Sequence, residues 1–407
     1  MIRKRNLLVR AITLIALLAI FGSTLGSGGC DPPIDLLKAT SSPTTTPSST
    51  TTASSTTTAS STATASSTAT ASSTAAAALF LYVGANTSAR DNLFGFLANA
   101  SSGVLTSIAG SPFSNAANPA AAAITPSGAF LYVANSTVNT IAIYSINPSS
   151  GALTTGGSIA STGAFPSGLA IDPTGRFLYE VNQNSNTISS FTINQSTGGL
   201  TQTGATLTTG PAPVSVTVNS TGQFVYVAND SSAGSVSAYL INSGGSLTSV
   251  SGSPFAAGSN PTSVVAAPAA DFLYVANSSS NSISAYNINP TTGALGLINS
   301  FGTDATPEGL AISPSGSFLY SANHGANNVD EFTVNSSSGA LSPVGSIPTG
   351  VGPVALTVDQ TGSFVYTANS AANSVSGFTI NSSTGALTSI GGATTVGEDP
   401  VFVVTPP

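Results

Sequence analysis

The chain has 407 residues, of which 5% are charged, against about a quarter in an average soluble domain. From residue 79 onward, Arg90 and Arg176 stand against twelve acidic residues, a net charge of 2 − 12 = −10 that repels phosphate backbones and argues against nucleic acid as a partner. Abundant Val, Ile, Thr, Ser and Gly predict an all-β fold with tight turns.

Residues 1–29 are predicted to be a signal peptide. A positive cluster at residues 3–5 precedes an apolar run at residues 11–21, which is too short to span a membrane as an ordinary helix. Two glycines and then Cys30 follow, and this arrangement resembles the lipobox of bacterial lipoproteins, in which the cysteine is lipidated. The resemblance implies an exported protein that Cys30 anchors to a membrane of the bacterial cell envelope, at the periplasm or the cell surface. The alternative is an ordinary secretory signal, after which the chain keeps an unpaired cysteine.

Residues 30–78 are predicted to form the lipid-anchor region and a disordered linker. From residue 39 to residue 78 the chain contains only Ala, Ser, Thr and Pro. Such a tract has no charge and no large apolar side chain to bury, so it cannot offset the entropy lost on ordering. We expect it to act as a flexible spacer.

Residues 79–407 are predicted to form a seven-bladed β-propeller. A Phe-Leu-Tyr-Val-Ala-Asn phrase recurs, with its tyrosine at Tyr82, Tyr132, Tyr179, Tyr226, Tyr274, Tyr320 and Tyr366. A period in the forties with strand chemistry throughout is typical of propellers, in which each repeat is one four-stranded blade. The first repeat lacks the Pro-led strand that opens the others, and a matching segment, Pro-Val-Phe-Val-Val, begins at Pro400. We therefore expect the C-terminal strand to complete blade one and close the ring.

These repeats resemble the YVTN-repeat propellers and the seven-bladed lactonase family, which includes bacterial 6-phosphogluconolactonases. The likeness is carried by Tyr-Val-Ala-Asn at 132–135, 226–229 and 274–277, by Asn-Ser-Ile-Ser-Ala-Tyr at 281–286, and by Thr-Gly-Ala-Leu at 292–295. It covers the whole of 79–407 and implies a propeller fold and, as an activity, lactone hydrolysis. The family's enzymes are associated with His, Arg and acidic residues around the channel, whereas this domain has one histidine and two arginines.

Charged residues that interrupt the repeat pattern are the candidate ligand-binding residues. In propellers of this type, the loop that enters each blade and the loop between its second and third strands lie on one face, around the channel. Seven charged or ionisable side chains fall in or beside such loops of blades six and one: Arg90, Asp91, Asp304, Glu308, His324, Glu398 and Asp399. We predict that they gather on one sector of that face, with His324 and Glu308 as the candidate catalytic residues. The alternative is that these sparse charges only keep an otherwise uncharged domain soluble.

Other acidic residues receive different interpretations. Asp172 and Asp359 are predicted to form Asx-type turns. Glu180 replaces the usual Val inside a strand, where a charge needs a partner, and the sequence supplies none.

The sequence favours a binding function over catalysis. No nucleophile elbow, P-loop or zinc motif is present, and one His with one Cys excludes zinc sites of the His/Cys kind. We expect no cofactor, although carboxylates leave Ca²⁺ as a candidate ligand. The preferred hypothesis is a lipid-anchored, extracytoplasmic propeller that binds a glycan, a small molecule or a protein through its channel face. The alternative hypothesis is a lactone hydrolase that uses the His324 sector.

Overall fold

A computed structural model of the protein describes residues 78–86, 92–114 and 118–407. The predicted signal peptide, Cys30, the linker, Arg90 and Asp91 lie outside these residues. Every regular element in the described ranges is a β-strand. Those ranges accordingly hold no helix long and apolar enough to cross a membrane.

The strands form seven antiparallel sheets, one for each predicted blade. Blade one contains β1 (Leu79–Ala85), β2 (Asn92–Ala98), β3 (Leu105–Ser107) and β4 (Phe113–Ser114). Blade two contains β5 (Pro119–Ile124), β6 (Phe130–Asn135), β7 (Thr140–Ile146) and β8 (Leu153–Ala160). Blade three contains β9 (Pro166–Ile171), β10 (Phe177–Asn182), β11 (Thr187–Ile193), β12 (Leu200–Gln202) and β13 (Leu207–Thr208). Blade four contains β14 (Pro213–Val218), β15 (Phe224–Asn229), β16 (Ser235–Ile241), β17 (Leu247–Ser249) and β18 (Phe255–Ala256).

The remaining blades follow the same order. Blade five contains β19 (Pro261–Ala266), β20 (Phe272–Asn277), β21 (Ser282–Ile288) and β22 (Leu295–Gly302). Blade six contains β23 (Pro307–Ile312), β24 (Phe318–Asn323), β25 (Asn328–Val334) and β26 (Leu341–Pro348). Blade seven contains β27 (Pro353–Val358), β28 (Phe364–Asn369), β29 (Ser374–Ile380), β30 (Leu387–Ser389) and β31 (Thr394–Thr395). The last strand of the chain is β32 (Pro400–Val404).

The C-terminal strand closes the ring as the sequence predicts. β32 pairs antiparallel with β1 and is the innermost strand of blade one. Gly84 lies opposite Phe402, and a Cβ at Gly84 would lie 2.2 Å from the Phe402 ring. Glycine is therefore required here so that the aromatic ring can cover the neighbouring strand. The prediction of a seven-bladed propeller with this closure is confirmed.

The hydrophobic core lies between blades rather than within them. The Phe and Tyr of each second strand pack with the second strand of the next blade; Phe80 and Tyr82, for example, cluster with Leu131 and Val133. The Phe also packs on the next blade's turn, where a Cβ at Gly151 would lie 2.5 Å from the Phe80 ring. Each repeat therefore buries its apolar faces only against its neighbours.

The tyrosine hydroxyls bind the same turns. Six of the seven recurring tyrosines donate a hydrogen bond to a glycine carbonyl of the next blade, and Tyr366 of blade seven reaches Gly103 of blade one at 2.8 Å. Tyr179 is buried but has no such partner. Its neighbouring turn places Gly245 three residues after Asn242, whereas the other turns have four, so the carbonyl is displaced.

The outermost strand differs from the single fourth strand that the sequence predicts. It is continuous in blades two, five and six, but in blades one, three, four and seven it is split into two short strands. A glycine with positive φ lies in each of the four gaps: Gly110, Gly204, Gly252 and Gly391. That conformation lets the chain leave the ladder, although β8 stays continuous with Gly157 at a φ of 99°.

Candidate functional site

One face of the propeller carries the loops that lead into the inner strands. Each of these strands begins with a proline, and Pro307, for example, pairs with Asn323 at the end of the second strand. The loop into a blade and the loop between its second and third strands therefore lie at the same end, as predicted. We call this end the mouth.

The mouth loops are held in a defined backbone conformation. The residue before each of these prolines has φ between 44° and 68°, at Asn118, Phe165, Ala212, Asn260, Thr306, Gly352 and Asp399. For residues other than glycine this conformation costs on the order of 1 kcal/mol. In five of the seven loops the N–H of that residue donates to an Asn side chain of the preceding blade, as Thr306 does to Asn281 at 2.8 Å. These bonds fix the loop positions around the channel.

A β-bulge follows each proline. In β23 the ladder pairs Pro307 with Asn323 and Gly309 with Ala322, so Glu308 is the extra residue. Bulges re-aim side chains, and here the re-aimed residues line the channel. A cavity of about 200 Å³ lies on the axis, with residues from all seven inner strands in its wall.

Glu308 is the one charged residue in the wall of this cavity. The other polar side chains of the wall bond the backbone of a neighbouring blade. Ser167 Oγ donates to the Pro213 carbonyl at 2.8 Å, and Thr262 Oγ1 donates to the Pro307 carbonyl at 2.9 Å. Glu308 differs from these neighbours because its side chain is ionisable.

His324 lies at the rim, at the same end of blade six as Glu308. Its backbone N–H donates to the Thr306 carbonyl at 2.8 Å, and its side chain is half-buried. A Cβ at Gly352 would lie 3.2 Å from His324 Nε2, so the imidazole rests against the loop that enters blade seven. Every other blade has a side chain at the position of Gly352. Glycine here leaves room for the imidazole.

Asp304 belongs to a polar cluster with Asp330, which the sequence analysis did not select. Asp330 Oδ2 accepts the Asp304 N–H at 2.8 Å, and Asp304 Oδ2 accepts from Asn328 Nδ2 at 2.5 Å. Asp330 is 7% exposed. Burial raises the pKa of its carboxyl; hydrogen bonds from the Asp304 N–H and Asn323 oppose the rise, and the Asp304 charge adds to it. Asp330 therefore anchors the loop that carries Asp304 and leads to Glu308.

Glu331, which was also not selected from the sequence, lies at the interface between blades six and seven. Its Oε1 accepts the Leu387 N–H at 3.0 Å. Burial raises the pKa of Glu331. One signal in the sequence could have identified both residues. The third strand of blade six carries Asp-Glu where that of blade five carries Ser-Ala, so two acids stand inside a buried strand.

The remaining predicted residues lie elsewhere on the mouth. Glu398 is exposed, and Asp399 occupies the positive-φ position before Pro400, with its N–H donating to Asn373 Oδ1 at 2.9 Å. Arg90 and Asp91 fall outside the described residues, so their place in the sector stays a prediction.

Two other predictions concern turns and metal ions. Asp172 Oδ1 accepts the Phe177 N–H at 2.6 Å, and Asp359 Oδ1 accepts the Phe364 N–H at 2.7 Å, which confirms both as turn formers. Within the described ranges, no group of three or more His, Cys, Asp or Glu side chains is placed to hold a metal ion.

Comparison with known proteins agrees with the architecture. The family described as lactonase, 7-bladed beta-propeller, matches residues 97–218, 206–306 and 299–405, well over half of the chain. No curated protein matches the sequence.

Solved structures extend the likeness to three dimensions. The structure of a candidate 6-phosphogluconolactonase from Bacteroides fragilis has 23% identity and a TM-score of 0.72, covering 82% of this chain and 99% of that chain. A similar candidate from Bacteroides uniformis has 19% identity and a TM-score of 0.72, covering 81% and 100%. A periplasmic gluconolactonase from Pseudomonas aeruginosa has 19% identity and a TM-score of 0.69, covering 81% and 99%. At such identities the likeness establishes the shared fold alone.

Proposed function

The chain belongs to the lactonase family of seven-bladed β-propellers, and on that premise we propose that it hydrolyses an uncharged sugar lactone at the mouth of its channel. The observation that carries this proposal is the placement of Glu308 in the cavity wall with His324 at the rim of the same blade. A carboxylate and an imidazole at the same end of one blade are groups that general acid–base catalysis uses. This proposal replaces the binding function that the sequence alone favours.

Each group has a role in the proposed reaction. Glu308 accepts a proton from a water molecule as the water oxygen attacks the lactone carbonyl carbon. The ring C–O bond then breaks, and His324 donates a proton to the departing ring oxygen, which yields the open-chain hydroxy acid.

The acidic groups described at the mouth favour a substrate without phosphate. In ranges 78–86, 92–114 and 118–407, Arg176 is the one Lys or Arg residue. It lies in the turn between β9 and β10, at the end of the blade away from the mouth. The acidic groups Glu308, Asp304 and Asp399 all belong to the mouth and would repel a phosphate. The gluconolactonase named above supplies the corresponding substrate class, an aldonolactone.

The test compares turnover of two lactones by the purified domain. We expect glucono-1,5-lactone to be hydrolysed faster than its spontaneous rate and its 6-phosphate to be a poorer substrate. Glu308→Gln and His324→Gln should each lower kcat/KM by about 10²-fold or more, while Asp271→Asn, in a turn at the opposite end of blade five, should retain full activity. Absence of turnover would refute the proposal and return the mouth to a binding role. Full activity in both site variants would refute the assigned residues.

We also propose that the propeller works outside the cytoplasm, tethered through Cys30. The support is the signal-like N-terminus and the Ser/Thr/Ala/Pro tract that follows it. Fatty-acid labelling of cells that express the wild type or Cys30→Ala tests the tether. Label in the wild type alone is expected, and equal label in both would rule out lipidation at this residue.

A further inference from the structure

A second polar site lies between blades two and three, around Glu180. This residue stands in β10, where blades one, two, four and five carry a valine, and it is 0% exposed. The polar side chains beside it come from the loop that follows β8, from the end of β10 and from β11: Ser161, Thr162, Asn182 and Ser189. An ionised carboxylate so completely removed from water requires hydrogen bonds or an opposite charge.

The described residues satisfy this carboxylate only in part. Glu180 Oε2 accepts from Asn182 Nδ2 at 3.4 Å, and Oε1 has no hydrogen-bond partner among them. The Thr162 N–H and the hydroxyls of Ser161 and Thr162 are also near the carboxylate, but each hydroxyl lies against another acceptor as well. Ser161 Oγ is 2.9 Å from Asn182 Oδ1, and Thr162 Oγ1 contacts Ser189 Oγ. Each hydroxyl has a single proton and can donate only one hydrogen bond. Lone pairs of the hydroxyl and carboxylate oxygens therefore remain directed at one another.

Glu180 also changes the bonding that the other blades share. In four of them the Asn that ends the second strand donates to the hydroxyl of the first residue of the third strand, as Asn229 does to Ser235 at 3.1 Å. In blade three the Asn182 amide instead faces Glu180 and Ser189, and Thr187 Oγ1 is buried without a partner. Glu180 Oε1 and Thr187 Oγ1 are thus both left without a hydrogen-bond partner in this blade.

No Lys or Arg side chain in the described part of the chain neutralises the carboxylate of Glu180. The guanidinium of Arg176 lies 4.9 Å from the centre of the Phe177 ring, and its Nε donates to Thr174 at 3.1 Å. Burial raises the pKa of Glu180, and hydrogen bonding from Ser161, Asn182 and Thr162 offsets only part of the rise. A proton on the carboxyl is the other way to neutralise this charge, and the response of Tm to cations and to pH separates the two.

We propose that Glu180 and the surrounding hydroxyl oxygens bind a monovalent alkali cation, of the Na⁺ or K⁺ class. One carboxylate is neutralised by one positive charge, whereas a divalent ion would leave an excess charge buried. Carboxylate and neutral oxygen donors are the ligands that hard cations prefer. The bound ion would tie the loop after β8 to blade three and stabilise that seam.

Thermal unfolding in different chlorides tests the site. At pH 7.5 and constant ionic strength, the wild type should have a higher Tm in NaCl or KCl than in choline chloride. Above the dissociation constant, Tm should rise by about 2 °C for each tenfold increase in the preferred cation. Glu180→Gln and Glu180→Val, the latter restoring the residue of four other blades, should lose this ion dependence. The matched control, Asp271→Asn, should keep it.

Crystallography provides the direct readout. Crystals of the wild type grown with thallium(I) acetate should show an anomalous peak beside Glu180, which requires no variant to fold. The proposal is overturned if that position has no peak and Tm is equal in all the chlorides. It is likewise overturned if Tm ignores the cation but falls steadily from pH 5 to 8, because the carboxyl would then be neutralised by a proton.

Discussion

The recurring tyrosines at the interfaces between blades provide a paired test of how the ring is held together. Tyr366 and Tyr179 occupy the same position in blades seven and three, and both are buried. Tyr366 donates to the Gly103 carbonyl at 2.8 Å, whereas the hydroxyl of Tyr179 has no partner. Replacing each by Phe removes one oxygen atom from equivalent surroundings. The two variants therefore differ in a single hydrogen bond.

The magnitude follows from that difference. Burial raises the pKa of Tyr366, so its phenol stays neutral and donates at every pH at which the protein is handled. Tyr366→Phe should lose the net value of one hydrogen bond and leave a buried carbonyl unsatisfied, a cost of about 1–2 kcal/mol. Tyr179→Phe removes a hydroxyl that was desolvated without compensation, so it should be neutral or stabilising.

Urea unfolding followed by tyrosine fluorescence and far-UV circular dichroism measures the effect. We expect the midpoint to fall for Tyr366→Phe and to stay level or rise for Tyr179→Phe, with unchanged slopes in both. Equal losses in the two variants would refute the reasoning, because the loss would then come from the ring environment rather than from the bond to Gly103.

Three further predictions concern closure, the site and pH. Deleting residues 400–407 should cost about 5–10 kcal/mol, since Phe402 and Val403 are buried and two flanking valines are partly so; a truncated protein that melts within a few degrees of the parent would contradict the closure. Gly352→Ala should reduce lactone turnover at least about tenfold, because the methyl group would press on His324 Nε2. Gly362→Ala, at the same φ of 68° but with its nearest contact at 3.6 Å, is its control and should lose only stability; equal activities would contradict the role of Gly352. Burial raises the pKa of Asp330, so its stabilising contribution is present below the unfolded-state pKa of about 3.9 and is lost as pH rises through the folded-state pKa. The Tm of Asp330→Asn should therefore fall less than that of the wild type between pH 4 and 8, and parallel curves would contradict the assignment.

The sequence predicts the ring because the same strand phrase recurs seven times and the missing strand reappears at Pro400. It also puts Glu308 and His324 at the same end of blade six, since Glu308 follows Pro307, His324 follows Asn323, and these two preceding residues are paired. Both results come from register, which a repeat displays directly. The membrane tether and the positions of Arg90 and Asp91 remain predictions.

The acids inside strands could not be placed in the same way. Asp330 accepts an N–H from a loop that lies 26 residues away in the chain, and Glu331 accepts one from blade seven. Neither hydrogen-bond partner lies near its acid in the sequence, so these pairs can be identified only from the three-dimensional structure. The split outer strands were missed for a related reason: a glycine within a strand pattern signals either a bulge or a break, and the sequence does not distinguish them.

The pairing of β32 with β1 has a consequence for biosynthesis. β1 leaves the ribosome before every other strand of the ring and β32 leaves after them, so blade one has an open inner edge until β32 is made. An unpaired edge of apolar residues is a template for association with other chains. Nascent or prematurely terminated chains that lack β32 should thus be more prone to aggregate than chains in which β32 covers this edge.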